Sequence, residues 1–325
     1  MNSSKLIVAL LFFASSVVAQ SFPEISSAQR LKNLQHPKEK VDMVFDTDTY
    51  NEIDDQFALV YALLSQERFN VKAVYAAPFH NKRSSGPEEG MELSYEEILR
   101  LLDRLEIEPE GLVFKGSRGF LKDASTPQES EAARDLVEKA KQYSPENPLY
   151  VVAVGAITNV SSAILMEPEI IKNIVVVWLG GAGHHWHSAT EFNFSQDLHA
   201  SRLIFDCGVP LVQIPCTPVV THFHTTVPEM EAYLAGKGNT AKYLLQIFKE
   251  YSDDHFGWSK VLWDMVAIAW LINDEWTPTN VVHSPVITDN HTYSTDKSRH
   301  FIKYMYHVHR DPIFRDFFTK LEKAK

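Results

Sequence analysis

Two cysteines, Cys207 and Cys216, are all that this 325-residue chain contains. So few exclude a Cys-based zinc site. The run between them, residues 208–215, reads as a strand, which would hold its ends roughly 30 Å apart, far beyond disulfide reach. Two free, buried thiols are expected. Positive charge is also scarce. Lys and Arg number 31 against 42 Asp and Glu, a formal net charge of -11. That argues against nucleic acid as a partner, because phosphate binding needs a basic surface. It points instead to a neutral or cationic small molecule. Beyond the N-terminus no segment is long and apolar enough to span a bilayer, so no membrane partner is expected. Repeats and low-complexity linkers are absent too, and residues 41–325 read as a single domain.

The first residues read as a processing signal. Met1-Asn-Ser-Ser-Lys5 carries one positive charge, residues 6–18 are apolar but too short to cross a membrane, and Val17-Val-Ala19 fits a small-x-small cleavage site. Residues 1–19 are therefore expected to be a signal peptide and the mature protein to be exported, periplasmic or secreted. No Cys follows the apolar stretch, which argues against a lipid anchor. Residues 20–40 are polar and read as a tail.

Strand and helix signals then alternate. Residues 41–45, 71–77, 149–154, 174–179 and 211–214 read as strands, and 56–64, 158–165 and 195–206 as helices. Ser94 with Glu97, and Thr126 with Glu129 after Pro127, have the form of capping boxes that open helices. The last third reads as helix-rich, at 239–251, 263–272 and 311–324. Continuous apolar strands alternating with amphipathic helices imply an α/β fold: a mostly parallel, doubly wound sheet with helices on both faces.

Four aspartates crowd the end of the first strand, in Asp46-Thr-Asp48-Thr-Tyr-Asn-Glu-Ile-Asp54-Asp55. Ligands of open α/β sheets bind outside the carboxyl ends of the strands, where this loop lies. Like charges this close repel unless offset, and a hard divalent cation with oxygen ligands, Ca²⁺ above all, offsets them. The plain alternative is a solvated acidic turn in which Asp54 or Asp55 caps the helix.

This loop resembles the Asp-Thr-Asp-Pro-Gly-x-Asp-Asp signature of the inosine-uridine-preferring nucleoside hydrolase family. Three more stretches are similar and in order: Val154-Gly-Ala-Ile-Thr-Asn159, then Trp178-Leu-Gly-Gly181 followed by Glu191-Phe-Asn193, then Trp263-Asp264 heading an apolar helix. The resemblance covers most of residues 41–275. It implies Ca²⁺-dependent hydrolysis of the N-glycosidic bond of a ribonucleoside, by a metal-held water that Asp48 activates. The implied metal ligands are Asp48, Asp55, the carbonyl of Val154, and Asp264. The resemblance puts Asp48, Asn193 and Trp263 at the reaction. It assigns Asp54 to a ribose hydroxyl, Glu191 and Asn193 to the 5′ side of the sugar, and Asp46 to support of the loop.

Departures gather around the substrate. The first loop is longer by two residues, with Thr49-Tyr-Asn-Glu52 in place of Pro-Gly. Residues 76–81 lack the family's Thr-Val-x-Gly-Asn, so His80 or Asn81 stands in for a ribose-binding Asn. Residues 182–190 are shorter and carry His184, His185, Trp186 and His187. One of these His is a candidate general acid, and Trp186 a candidate aromatic wall. Their spacing fits no common zinc template. Trp263 stands where pyrimidine-accepting relatives carry a His; it offers one donor and a stacking face but no proton, which favours purine nucleosides. His222, His224, His307 and His309 read as structural or surface residues. Asn159-Val-Ser and Asn290-His-Thr fit the glycosylation pattern. Two rival classes remain: a nucleoside- or ribose-binding protein on the same fold that has lost turnover, and a haloacid-dehalogenase-type phosphatase built on Asp46 and Asp48. The latter lacks an acidic partner motif and leaves Glu191 and Asp264 without a role. The sequence leaves the oligomeric state, homo-oligomers included, open.

Overall fold

The computed structural model describes residues 21–324, and the signal peptide read at residues 1–19 lies outside the described residues. Strands β1 (Val41–Thr47), β2 (Phe69–Ala76), β3 (Val113–Lys115), β4 (Leu149–Ala153), β5 (Ile174–Leu179) and β6 (Leu211–Ile214) succeed one another along the chain. Further on come β7 (His224–Thr225), β8 (Lys260–Val261), β9 (Thr279–His283), β10 (Val286–Ile287), β11 (Tyr293–Ser294) and β12 (Phe301–Met305). Eight of them form one sheet in the order β3-β2-β1-β4-β5-β6-β12-β9. All neighbours are parallel except the antiparallel edge pair β12 and β9. The other four make two short antiparallel pairs, β7 with β8 and β10 with β11.

The central strands are buried on both faces, and their side chains divide by parity between two cores. Met43, Phe45, Val152, Val175 and Val177 face one. Val44, Val151, Ala153, Ile174, Val176 and Trp178 face the other. This is why these strands read as unbroken apolar runs. From β1 the chain winds outward through β2 and β3, then returns to β4 on the other side of β1. The order therefore reverses between β1 and β4, and the crevice at their carboxyl ends is the expected ligand site of such a sheet. The helix after β1, Asp54–Leu63, is buried along its whole length. It packs on helix Met265–Ile272, which is apolar on every side. That contact brings the late Trp263-Asp264 pair to the β1 loop.

Three elements differ from the sequence reading. Ser94 opens no helix: Pro87–Arg104 begins seven residues earlier with Pro at its start, and the Ser94 hydroxyl donates back to the carbonyl of Gly90 at 2.9 Å. Thr126 donates to Asp123 instead, and the next helix, Glu131–Ala140, is capped by Ser130, whose hydroxyl accepts from Ala133 N at 3.1 Å. The stretch read as a polar tail contains a helix, Ser27–Asn33. Its Arg30 is buried and donates to the carbonyl of Gly208, and Leu34 joins the core. The last third also supplies β9 and β12 to the sheet. Both cysteines are free and buried. Among the described residues no helix is long and apolar enough to cross a membrane.

Candidate active site

The acidic loop leaves β1 at the reversal point of the sheet. Asp46, still in the strand, is fully buried; its Oδ1 accepts from Asn159 Nδ2 at 2.7 Å, and Asn159 Oδ1 in turn accepts from Ser117 N at 2.7 Å. Asn159 is thus a buried brace between two strand ends, and its glycosylation pattern is incidental; Asn290 is exposed. Asp48 follows, 1% exposed, with no hydrogen-bond partner for either carboxylate oxygen. Gly155 allows the β4 loop to pass this close. A Cβ added there would stand 3.0 Å from Asp48 Oδ1.

Asp54 and Asp55 occupy the first turn of their helix, where the peptide dipoles favour negative charge. One carboxylate oxygen from each of Asp54, Asp55 and Asp264 lies within 4.8 Å of the others, all three residues being buried. Asp55 Oδ1 accepts from Thr47 Oγ1 at 2.5 Å. Asp54 Oδ1 has no hydrogen-bond partner, only the Lys260 ammonium at 3.5 Å.

Burial raises the pKa of each of these acids, and repulsion from neighbouring carboxylates adds to it at Asp48, Asp54, Asp55 and Asp264. Asp46 and Asp55 rise to about 7 and Asp54 to about 6, burial being the largest cause in each. Asp48 and Asp264 rise as well, through burial and then the neighbouring carboxylates. Buried carboxylates with orphaned oxygens are costly unless something positive sits among them. An all-oxygen donor set of this kind fits a hard divalent cation.

A pocket of about 420 Å³ opens above the cluster. Asp48, Asp54, Asp55, Val154 and Asp264 line its floor, and Asn81, Trp186, Glu191, Asn193 and Trp263 its sides. The carbonyl of Val154 accepts from Asn193 Nδ2 at 2.7 Å. Asn193 Nδ2 also reaches the Leu179 carbonyl at 3.0 Å. Glu191 caps helix Phe192–Gln196 and accepts from the backbone N–H groups of Gly181, Asn193 and Phe194; burial lifts it to about 7. Asn81 donates to Asn51 Oδ1 at 2.6 Å. Trp186 is 40% exposed at the mouth. His185 is exposed on the adjoining turn, closed by Trp186 N donating to the Gly183 carbonyl, and is not among the lining residues. His184 points elsewhere, to Gln213 Oε1 at 2.7 Å, and burial lowers its pKa to about 4.

Sequence reasoning missed Lys260 and its partner Glu52. Lys260 is 7% exposed. Its ammonium donates to Glu52 Oε2 at 2.5 Å and to the Val261 carbonyl at 2.9 Å. Burial works against its charge, but Asp54 and Glu52 outweigh that and hold it well above the usual lysine range. Burial likewise pushes Glu52 up, and Lys260 more than reverses it. Glu52 belongs to the four-residue stretch that replaces Pro-Gly in the lengthened first loop, and that extra length was the available signal. Phe192, Cys216 and Thr217 also line the pocket.

The chain matches the profile described as "Inosine-uridine preferring nucleoside hydrolase" over residues 90–312. It is 30% identical over 262 residues to a pyrimidine-specific ribonucleoside hydrolase of Citrobacter koseri, covering 72% of this chain and 80% of that one. It is 32% identical over 145 residues to a probable uridine nucleosidase of Arabidopsis thaliana, but that match spans only 44% of the plant protein and 43% of this chain. In three dimensions it resembles a purine-preferring ribonucleoside hydrolase from Gardnerella vaginalis, with a TM-score of 0.71 over 87% of this chain and 98% of the other; at 19% identity this speaks to the fold alone.

Proposed function

This chain belongs to the inosine-uridine preferring nucleoside hydrolase family, and from that premise we propose that it hydrolyses the N-glycosidic bond of ribonucleosides, purine nucleosides first, at the buried aspartate cluster with calcium bound. It is a hydrolase of N-glycosyl compounds, a nucleosidase. The observation that carries the reading is the set of buried carboxylates with orphaned oxygens at the floor of a pocket walled by two tryptophans.

In this reading Asp48, Asp55, Asp264 and the Val154 carbonyl hold the cation, and Asp54 stands beside them. When bound, calcium offsets the acid charges and polarises water. Asp48, whose oxygens have no other partner, accepts a proton from the water that attacks the anomeric carbon. The electron pair of the C–N bond leaves with the base through an oxocarbenium-like state, as in glycoside hydrolysis generally. The base takes up a proton from solvent, Asp48 gives the one it accepted back to solvent, and the products are ribose and free base. Asp54, held by Lys260, accepts from a ribose hydroxyl. Asn193, locked on two strand-end carbonyls, and Glu191, locked on backbone N–H groups, border the 5′ side.

The lining of the pocket supports the purine preference. Among the described residues no imidazole does, whereas Trp263 and Trp186 do. An indole can stack but cannot protonate a leaving group. A purine has a second ring nitrogen able to take the proton, and uracil does not. Export of the mature chain stays part of the proposal on the leader sequence alone. The test is initial-rate hydrolysis of inosine, adenosine, guanosine, uridine and cytidine. The three purine nucleosides should have the higher kcat/KM, and a preference for uridine would sink the leaving-group argument.

A further inference from the structure

Behind the first loop lies a second cavity, of about 540 Å³, with three arginines in its wall: Arg83, Arg100 and Arg104. In a chain of formal net charge -11 this is an unusual concentration of cations. Arg100 is matched by the buried Glu97. Arg83 and Arg104 form no salt bridge among the described residues. Arg83 is held by the backbone carbonyls of Tyr50 and Glu52 and lies 5.6 Å from the Tyr50 ring centre. The Glu52 carboxylate is committed to Lys260. Arg104 lies over the Tyr243 ring at 4.1 Å, and its Nε has no partner. The opposing acid in the lining is Glu250, exposed at the rim and accepting from Gln246. Gln56, 3% exposed, lines the same cavity with its Oε1 unpartnered.

We propose that this cavity binds a phosphate group, as inorganic phosphate or as the monoester of a small metabolite. Two arginines without carboxylate partners match a dianion, where a carboxylate would leave one charge over. Guanidinium forks suit phosphate oxygens, and the Gln56 carbonyl accepts from a hydroxyl of the ligand. Tyr50 and Ile53 line this cavity, while Asn51 and Glu52, between them in sequence, line the nucleoside pocket. One loop therefore walls both sites.

The test is isothermal titration of the full chain with sodium phosphate and with ribose 5-phosphate, at ionic strength held constant with chloride. Saturable one-to-one binding is expected from at least one of them, and the tighter of the two identifies the source. Arg104→Gln should weaken it tenfold or more, with circular dichroism unchanged, because the side chain has no polar partner to lose. Arg83→Gln should do the same and serves if Arg104→Gln fails to fold. Absence of saturable binding by both ligands, or binding unaltered in both variants, overturns the proposal. The measurement needs no turnover, so it fails or succeeds independently of the nucleoside reading.

Discussion

Stripping the cation from the acid cluster should destabilise the protein in a pH-dependent way. In the folded chain burial holds Asp46 and Asp55 at about 7 and Asp54 at about 6, and raises Asp48 and Asp264 as well. In the unfolded chain the same carboxyls ionise near pH 4. As pH rises from about 4 to about 7, the unfolded state releases protons that the folded state retains. Folding therefore loses free energy across that window and levels off above it. Each unit of displacement is worth about 1.4 kcal/mol, so the cluster as a whole costs on the order of several kcal/mol at neutral pH. A cation occupying the orphaned oxygens removes the reason to stay protonated. At a calcium concentration 100 times Kd the stabilisation is about 2.7 kcal/mol, a rise in Tm of roughly 5 °C for a domain this large. Below about pH 4.5 protons hold the same oxygens and the increment should vanish. The assay is thermal melting of chelator-treated protein with and without calcium from pH 4.5 to 7.5. A Tm indifferent to calcium at neutral pH, or an equal increment at both ends of the range, would refute the reasoning.

Asp48→Asn should lower kcat by ~10²–10⁴-fold, as removal of a general base does, while Tm in chelator stays unchanged or rises because one like charge is gone; near-normal turnover would move the base elsewhere. Trp263→Ala should lower kcat/KM for inosine by about 1–3 kcal/mol in free-energy terms and narrow the gap between inosine and uridine, so an unchanged ratio counts against stacking. Lys260→Met removes one partner of a buried charge cluster and should destabilise the protein by about 3 kcal/mol in urea unfolding; adding Glu52→Gln should recover part of the loss, and a silent single variant would show that the Lys260 contacts carry no weight.

The aspartate loop was legible because its carboxylates fall together in sequence at a strand end. Asp264 was legible only through ordered motifs, since its place beside Asp55 depends on helix Met265–Ile272 packing on helix Asp54–Leu63. The parallel strands showed as continuous apolar runs because both faces of the sheet are covered. Strands β9 and β12 did not, as β9 lies at the open edge, with Asn280 and Val281 exposed. Ser94 misled because a hydroxyl bonding back to the carbonyl four residues earlier has the same local sequence as a cap. The Lys260–Glu52 pair stayed hidden because an ion pair 208 residues apart leaves no periodic trace. The position of His185 depends on the turn at Gly183, which the sequence around it does not specify.

The most direct measurement is release of reducing sugar from inosine by the purified chain, with saturating calcium and again after chelation. Ribose should appear in step with hypoxanthine when calcium is present, cease on chelation and return when calcium is restored. If calcium binds and yet neither inosine nor the other four nucleosides yields sugar, the chain is a binding protein on a hydrolase fold, and the role assigned to Asp48 is wrong.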